Sequence, residues 1–431
     1  MNGVIIKYVM CMNRQEKNRK IKETLIATKA RHSKMDVKTY EVKVVGSKLS
    51  HEQKDQINQY FKEAKWLRNH FLTDLKNADC KTNVVNVKVK DNIETRTLDI
   101  LGSQVKQDIL KNLKSEIKSL STRKSKGMKV GKLKFKSVCN SIPLKQFGRT
   151  YDIDFDKNRI RVQNIKKPLY VRGLKQIPSD AEIANAKFVR KPDGLYFYIT
   201  CYIPKKEYTK TNKMVGIDFG IENNLNFSDE RDAFNCCIKE TEYIKRLSRK
   251  INREWVKNKT HSKNNLKRIE KLKVAYQKLS RRKEDKANQI VHELLNEYDF
   301  IAIQDEMLRN WQSGLFGKQV QHSCMGTIKM KLKNSSKVFV VSRSFPSTQM
   351  CPVCGSLNKH SLRKRDYDCP HCGYHHNSRD KKSAQSILDE ALRQVSTDHR
   401  TKSPVEAETS TAIDRLYCNK LPPMTQEAQQ L

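Results

Sequence analysis

The sequence predicts an α+β, multi-domain protein, and three observations carry that expectation. At 431 residues the chain is long enough for two to three domains, each with its own core. Its hydrophobic period changes along the way, from helical spacing after Ser50 to strand alternation over 131–205 and back to helix over 241–290. Two Cys-x-x-Cys pairs then interrupt the last third at metal-ligand spacing.

Charge narrows the partners before any element is placed. With 86 Lys+Arg against 47 Asp+Glu the formal net charge is +39 at pH 7. A small acidic ligand needs one pocket, whereas a basic excess spread over the whole chain suits a polyanion, so nucleic acid is the expected partner. No run approaches the roughly 18 apolar residues of a membrane span, and VIIKYVMCM near the start is too short for a secretory core. The expected location is cytoplasmic, associated with a prokaryotic nucleoid, with no membrane partner. Of 12 Cys, only four cluster, which points to a reducing compartment and one metal site instead of a disulfide framework.

In chain order, residues 1–36 are basic and aperiodic and are expected to be a disordered arm. Lys38–Val45 alternates as a strand. Ile57, Tyr60, Phe61, Ala64, Leu67 and Phe71 make one helical face, and a second helix is expected near Gln104–Leu120. KLKFKSV, TYDIDFD, RIRVQNI and GLYFYITCYIP read as strands between turn signals. The expectation is a β-barrel or sheet built from 37–47 and 131–210, interrupted by a helical insert at 48–130. Over 211–342, MVGIDFG and LNFSD read strand–turn–strand, followed by one long helical stretch at 241–290. Ile301–Ile303 and Val338–Val341 read as buried strands around a helix near Lys318–Leu332. Ala384, Ile387, Leu388, Ala391, Leu392 and Val395 give a last amphipathic helix within 379–395. The tail, 396–431, is rich in Ser, Thr, Pro and Glu and is expected to be disordered.

Basic residues among these elements supply candidate nucleic-acid contacts. Residues 241–290 hold 17 Lys+Arg against 5 Asp+Glu, an imbalance that a merely solvated helix face does not need. Lys250, Arg253, Arg281 and Arg282 are the candidates there. In the insert Trp66 and Arg68 lie among further lysines and offer stacking and phosphate pairing, while Tyr60 and Phe71 read as core.

Cys351-Pro-Val-Cys354 and Cys369-Pro-His-Cys372 are separated by fourteen residues, and a glycine follows each pair. Four thiolates at this spacing make a closed tetrahedral zinc ribbon at 343–378; a redox Cys-x-x-Cys needs one pair beside a βαβ unit. One Zn²⁺ with a structural role is expected. Three carboxylates end or begin separate elements. Asp218 closes the strand VGID, Asp305 and Glu306 follow the strand IAI, and Asp380 opens the last helix. Each alone reads as a turn or N-cap residue. Together they can hold two divalent cations about 4 Å apart for in-line phosphodiester hydrolysis.

Gly216-Ile217-Asp218-Phe219-Gly220, a carboxylate after a strand some ninety residues later, the four-cysteine ribbon and Arg379-Asp380 resemble the TnpB family of transposon-associated, RNA-guided nucleases, akin to the compact type V CRISPR effectors. Gly194–Ile199, the segment from Gly317 to His322 and Ser347–Met350 fit as well, so the resemblance covers roughly 37–395. It implies a wedge β-barrel, a helical recognition insert and a RuvC-like, RNase H-fold nuclease domain split by the ribbon. It implies a metal-dependent endonuclease that cuts DNA complementary to a bound guide RNA beside a short flanking motif. The partners would be guide RNA and double-stranded target DNA, and the cofactors two catalytic Mg²⁺ and one structural Zn²⁺. Asp218, Glu306 and Asp380 would be catalytic, with Asp305 the alternate second acid, and Arg379 would contact nucleic acid. Two positions depart from the family pattern: Gln304 occupies its usual Glu slot, and Lys382 replaces its Asn. Glu306 is favoured over Asp305 because in an extended strand it shares a face with Gln304. The alternatives are a nuclease-dead RNA-guided DNA-binding repressor, and a transposase-associated protein acting without RNA.

Overall fold

The computed structural model describes residues 14–398 except 76, 90, 91, 206–209, 360, 362 and 363. The chain divides into two compact units, Met1–Lys206 and Glu207–Leu431.

The first unit is built on a seven-stranded antiparallel sheet that is nearly a closed barrel. Its strands run in the order Ser141–Leu144, Glu182–Lys191, Gly194–Pro204, Met35–Val44, Leu169–Arg172, Arg159–Val162 and Tyr151–Asp154. Alternation does what the sequence implies: Val42, Val44, Phe197 and Ile199 are buried, and Phe188 stacks on Phe197 at 4.6 Å. The insert's helix His51–Thr73 opens with a reciprocal cap between Ser50 and Gln53 and buries Ile57, Tyr60, Phe61, Leu67 and Phe71 against this core.

Three local expectations change in this unit. Arg14–Ser33, expected without order, is a helix; it has no apolar face, and the i,i+4 pairs Glu16–Lys20 and Arg19–Glu23 lie along it. Residues 1–13 of the expected arm lie outside the described residues. The insert is not purely helical: Val84–Val89 and Asn92–Thr97 form a hairpin before the helix Ser103–Ser125. Buried Glu63 holds the chain leaving that hairpin by accepting from the backbone N–H groups of Asp99, Ile100 and Leu101 at 3.0–3.1 Å. Finally KLKFKSV is no strand. Its backbone is taken up by side chains, with Asn69 donating to the Lys136 carbonyl at 2.9 Å and accepting from the Lys136 N–H at 2.9 Å.

The second unit holds a four-stranded sheet in the order Asn226–Phe227, Met214–Asp218, Phe300–Gln304, Val338–Val341. The first pair is antiparallel and the others parallel. Parallel strands are covered on both faces. Val215, Ile217, Ile301 and Ile303 pack on Ile290 and Leu294 of the helix Lys263–Glu297 and on Ile328 and Leu332 of Met325–Lys333. Phe300, Ala302 and Val341 face Ile387, Leu388 and Ala391 of the helix Arg379–Asp398. Gly216 makes that second contact possible, because a Cβ there would lie 2.0 Å from the Ala384 carbonyl oxygen. The stretch over 241–290 is two helices, Glu242–Asn258 and Lys263–Glu297, broken where Lys259 turns left-handed (φ 53°) and Ser262 caps the second. The helix near Lys318–Leu332 is likewise two, Gly317–His322 and Met325–Lys333. The last helix continues to Asp398, and the tail beyond it lies outside the described residues. No helix among the described residues is long and apolar enough to cross a membrane.

Candidate active site

The parallel strands place two of the three acids at one sheet end. Asp218 is the last residue of its strand, and its neighbour strand ends at Gln304 in a register that pairs Ile217 with Ile303. The third acid arrives on the helix packed over Gly216. Ser378 caps that helix by accepting from the Lys381 N–H, which fixes Asp380 in its first turn.

Electrostatics connects the three. Removal from water, then the charges of Asp380 and Glu306, hold the half-buried Asp218 carboxyl well above the usual carboxylate range, against Arg379 and Lys382. Burial pushes Glu306 up in the same direction, opposed by Lys329 and Arg343. Asp305 behaves otherwise. Lys333 at 2.5 Å, Lys329 at 3.1 Å and Arg343 at 3.4 Å surround it, and the Lys333 hydrogen bond leads in holding its carboxyl down at about 2.

The local backbone explains the division. Asp305 continues the ladder, donating its N–H to the Val341 carbonyl at 3.0 Å, but the Glu306 N–H donates back to the Gln304 carbonyl at 2.9 Å. That three-residue turn re-aims Glu306, so simple strand alternation no longer describes it. Gln304 is buried and fully engaged: its amide donates to the carbonyls of Ser342, Arg343 and Phe345, and its oxygen accepts from Ser347 at 2.9 Å. It braces the loop that leads to the ribbon.

An oxygen-only set of partly desolvated carboxylates is of the donor type that Mg²⁺ takes, and its charge would offset the unfavourable influence of Asp380 and Glu306 on Asp218. Asp380 is engaged by cations instead, Arg379 at 3.3 Å and Arg365 at 3.5 Å. Arg365 comes from the ribbon and also pairs with Glu222; the sequence hides it in a run of charges. Lys382, 1% exposed, donates to the carbonyls of Ser347, Thr348 and Met350 at 2.8–3.0 Å and sits 4.0 Å from the Tyr367 ring centroid. Burial brings its ammonium down to about 8.

The ribbon matches its expected geometry. Its four Sγ atoms lie within 4.8 Å of one another, with Cys351–Cys372 and Cys354–Cys369 at 3.6 Å. Thiolates about 2.3 Å from one zinc would stand ~3.8 Å apart. Gly355 and Gly373 adopt φ of 70° and 73° and donate to the carbonyls of Cys351 and Cys369, closing two knuckles. A Cβ at either glycine meets nothing within 4 Å, so backbone conformation and not space demands glycine there.

The basic candidates divide by exposure. Lys250, Arg253 and Arg282 are exposed on the two charged helices, and Arg281 is half-buried. Arg68 is turned inward, 7% exposed and 2.8 Å from Glu116. Trp66 packs against the first unit's core with the Arg96 guanidinium over its ring. Arg379 is mostly covered and donates to the Lys364 carbonyl and to Asp380. These three do not offer the open contacts expected of them, because each satisfies an internal partner.

Comparison with known proteins agrees with the motifs. Residues 198–310 match the family described as a probable transposase, OrfB of IS605, and residues 325–387 match the Cas12f1-like TNB domain. A putative RNA-guided DNA endonuclease from Streptomyces pristinaespiralis is 24% identical over 234 residues, which is 52% of this chain. The chain spans 57% of that relative's length. Among solved structures, Cas12f1 in a complex with single guide RNA and target DNA gives a TM-score of 0.46 at 14% identity, covering 82% of this chain and 99% of that one. The mini RNA-guided endonuclease Cas phi3 gives 0.44 at 9%, covering 83% and 92%. The two matched segments between them contain Asp218, Glu306, the four cysteines and Asp380, and they establish this chain's likeness to the TnpB transposase family.

Proposed function

We propose that the protein is an RNA-guided DNA endonuclease with a RuvC-type, RNase H-like site. The observation that supports the reading is placement: Asp218 ends one strand, Glu306 follows the end of its neighbour, and Asp380 lies in the first turn of the helix packed on Gly216. Burial, and then the charges of Asp380 and Glu306, hold Asp218 above the usual range. Asp218, Glu306 and Asp380 would hold two Mg²⁺, which when bound supply charge for the attacking and leaving oxygens of an in-line displacement. The protein's own part is placement: Gly216 seats the helix, Ser378 fixes its first turn, and Gln304 and Lys382 brace the loop entering the ribbon. The ribbon would hold one Zn²⁺ and, with four thiolates around it, leaves no open position for substrate. Guide RNA would supply sequence by base pairing, and Lys and Arg contacts would tip a nearly balanced strand exchange with the DNA duplex.

A nuclease-dead RNA-guided binder is the second reading. It is favoured by Gln304, whose amide stands in the family's acid slot and is committed to four internal hydrogen bonds. Purified protein with its co-purified RNA, sequenced and supplied with matching DNA and Mg²⁺, separates the two. Cutting that disappears in Asp218→Ala supports the endonuclease. Guided binding without cutting in the unmutated protein selects the binder, and binding that needs no RNA rejects both.

A further inference from the structure

The segment expected as the strand KLKFKSV has another use. Seven cationic side chains and no carboxylate lie between Arg123 and Lys136. Every residue from Ser121 to Lys129 is exposed, and from Gly131 to Val138 only Leu133 turns partly inward. The segment is nevertheless held. Leu133 packs against the core, Arg68 donates to the Lys134 carbonyl at 3.4 Å, and Asn69 makes its two bonds to Lys136 as a neighbouring strand would. The inward turn of Arg68, unhelpful for contacting a ligand itself, thus anchors a strap that carries Lys132 and Lys134, and Lys136 with Glu116 3.9 Å from its ammonium, around Phe135.

Phe135 is 62% exposed. An aromatic ring left in water among lysines, on a backbone already fixed, costs little further ordering when a base stacks on it. Beside the strap lies a cleft of about 260 Å³ between the helix His51–Thr73 and Ser137–Cys139. Lys62, Lys65 and Arg190 line it with no carboxylate, and the Arg190 guanidinium lies 4.5 Å from the Phe61 ring centroid. Asn58 and Ser137 add neutral hydrogen-bonding groups suited to a 2′-hydroxyl.

We propose that the strap 123–138 and this cleft bind an unpaired segment of RNA, with Phe135 stacking a base and Lys132, Lys134 and Lys136 pairing phosphates. The proposal rests on the nucleic-acid reading above and names where the first unit grips the RNA.

The test uses the full chain and a 12-nucleotide oligouridylate containing 4-thiouridine, with oligothymidylate of equal length as the DNA arm. Photocrosslinks are expected at 132–138. Phe135→Ala should weaken RNA binding 5-fold or more without changing its salt dependence. Lys132→Gln/Lys134→Gln/Lys136→Gln should reduce the slope of log K against log salt by about 2, at roughly 0.7 per phosphate of a single strand. Unchanged melting temperatures would show that both variants fold, as their exposure predicts. Wild-type affinity and slope in both variants, or crosslinks confined to other segments, overturn the strap while leaving the nucleic-acid reading in place. Equal or tighter binding of oligothymidylate overturns the assignment to RNA. Failure of the unmutated protein to bind either oligonucleotide overturns the proposal together with the reading beneath it.

Discussion

The ribbon and the carboxylate cluster belong to the same unit, yet they hold their ligand groups in opposite ways. The ribbon's sulfurs converge through local backbone: two knuckles, each closed by a glycine N–H, with Ser356 and Asn358 adding bonds to Sγ atoms. The acids are carried by strands and a helix that only tertiary packing brings near one another, and burial with the charges of Asp380 and Glu306 pushes Asp218 up. The first arrangement is a small closed site that an ion would complete. On the endonuclease reading proposed above, the second would set carboxylates against one another until a divalent ion offset their charge.

That contrast can be broken most sharply at the ribbon. Metal analysis of protein purified without chelator should find one zinc per chain, and Cys354→Ser should release it. Structural zinc in small domains contributes on the order of 10 kcal/mol, so residues 343–378 should become the first site of protease cleavage. A zinc-free native protein would sink the ribbon assignment.

The next largest effect concerns the acids. Asp218→Ala and Glu306→Ala should each lower guide-matched cleavage by ~10³-fold or more, the loss of several kcal/mol of transition-state stabilisation, with RNA binding kept. Asp305→Ala should retain most activity, because its carboxylate is engaged by Lys329, Lys333 and Arg343. Full activity in Glu306→Ala together with loss in Asp305→Ala would reverse the assignment.

Lys382→Met keeps the side chain's length but strands the three carbonyls before Cys351. A stability loss of about 2–4 kcal/mol is expected, given the cost of unpaired buried polar groups, measured as a shift in the denaturant midpoint. A shift below a tenth of that would show that these carbonyls find water instead.

The smallest effect is a pH dependence. The Asp305 carboxyl titrates at about 2 when folded, below its ordinary 3.8. Its ion pairs therefore add stability that is present above pH ~4 and lost as pH falls toward 2. The group is more than a third exposed, so solvent screening keeps the contribution under ~1 kcal/mol. Asp305→Asn should flatten the acid limb of the unfolding curve by that amount, and an identical limb in the variant would remove the ion pairs from the stability account.

What the sequence determined by itself is whatever depends on near neighbours. The knuckles follow from Cys-x-x-Cys-Gly, the barrel strands from alternation in GLYFYITCYIP, and the last helix from its stripe and Ser378. Local strength also decides where a long pattern breaks, as at Ser262, although Lys259's left-handed turn left no composition signal. Tertiary structure alone decided the rest. KLKFKSV alternates well enough for a strand, but Asn69 took the Lys136 backbone bonds, Arg68 the Lys134 carbonyl, and every side chain of the segment except Leu133 stays in water. Arg68 and Arg379 look like open cations until Glu116 and Asp380 are brought beside them. Strand alternation puts Glu306 on the face of Gln304, whereas in the folded chain a turn at Asp305 breaks that alternation and three cations surround Asp305. Period and charge are properties of a segment, but a backbone bond or an ion pair needs a partner, and partners distant in sequence are fixed only when the chain has folded.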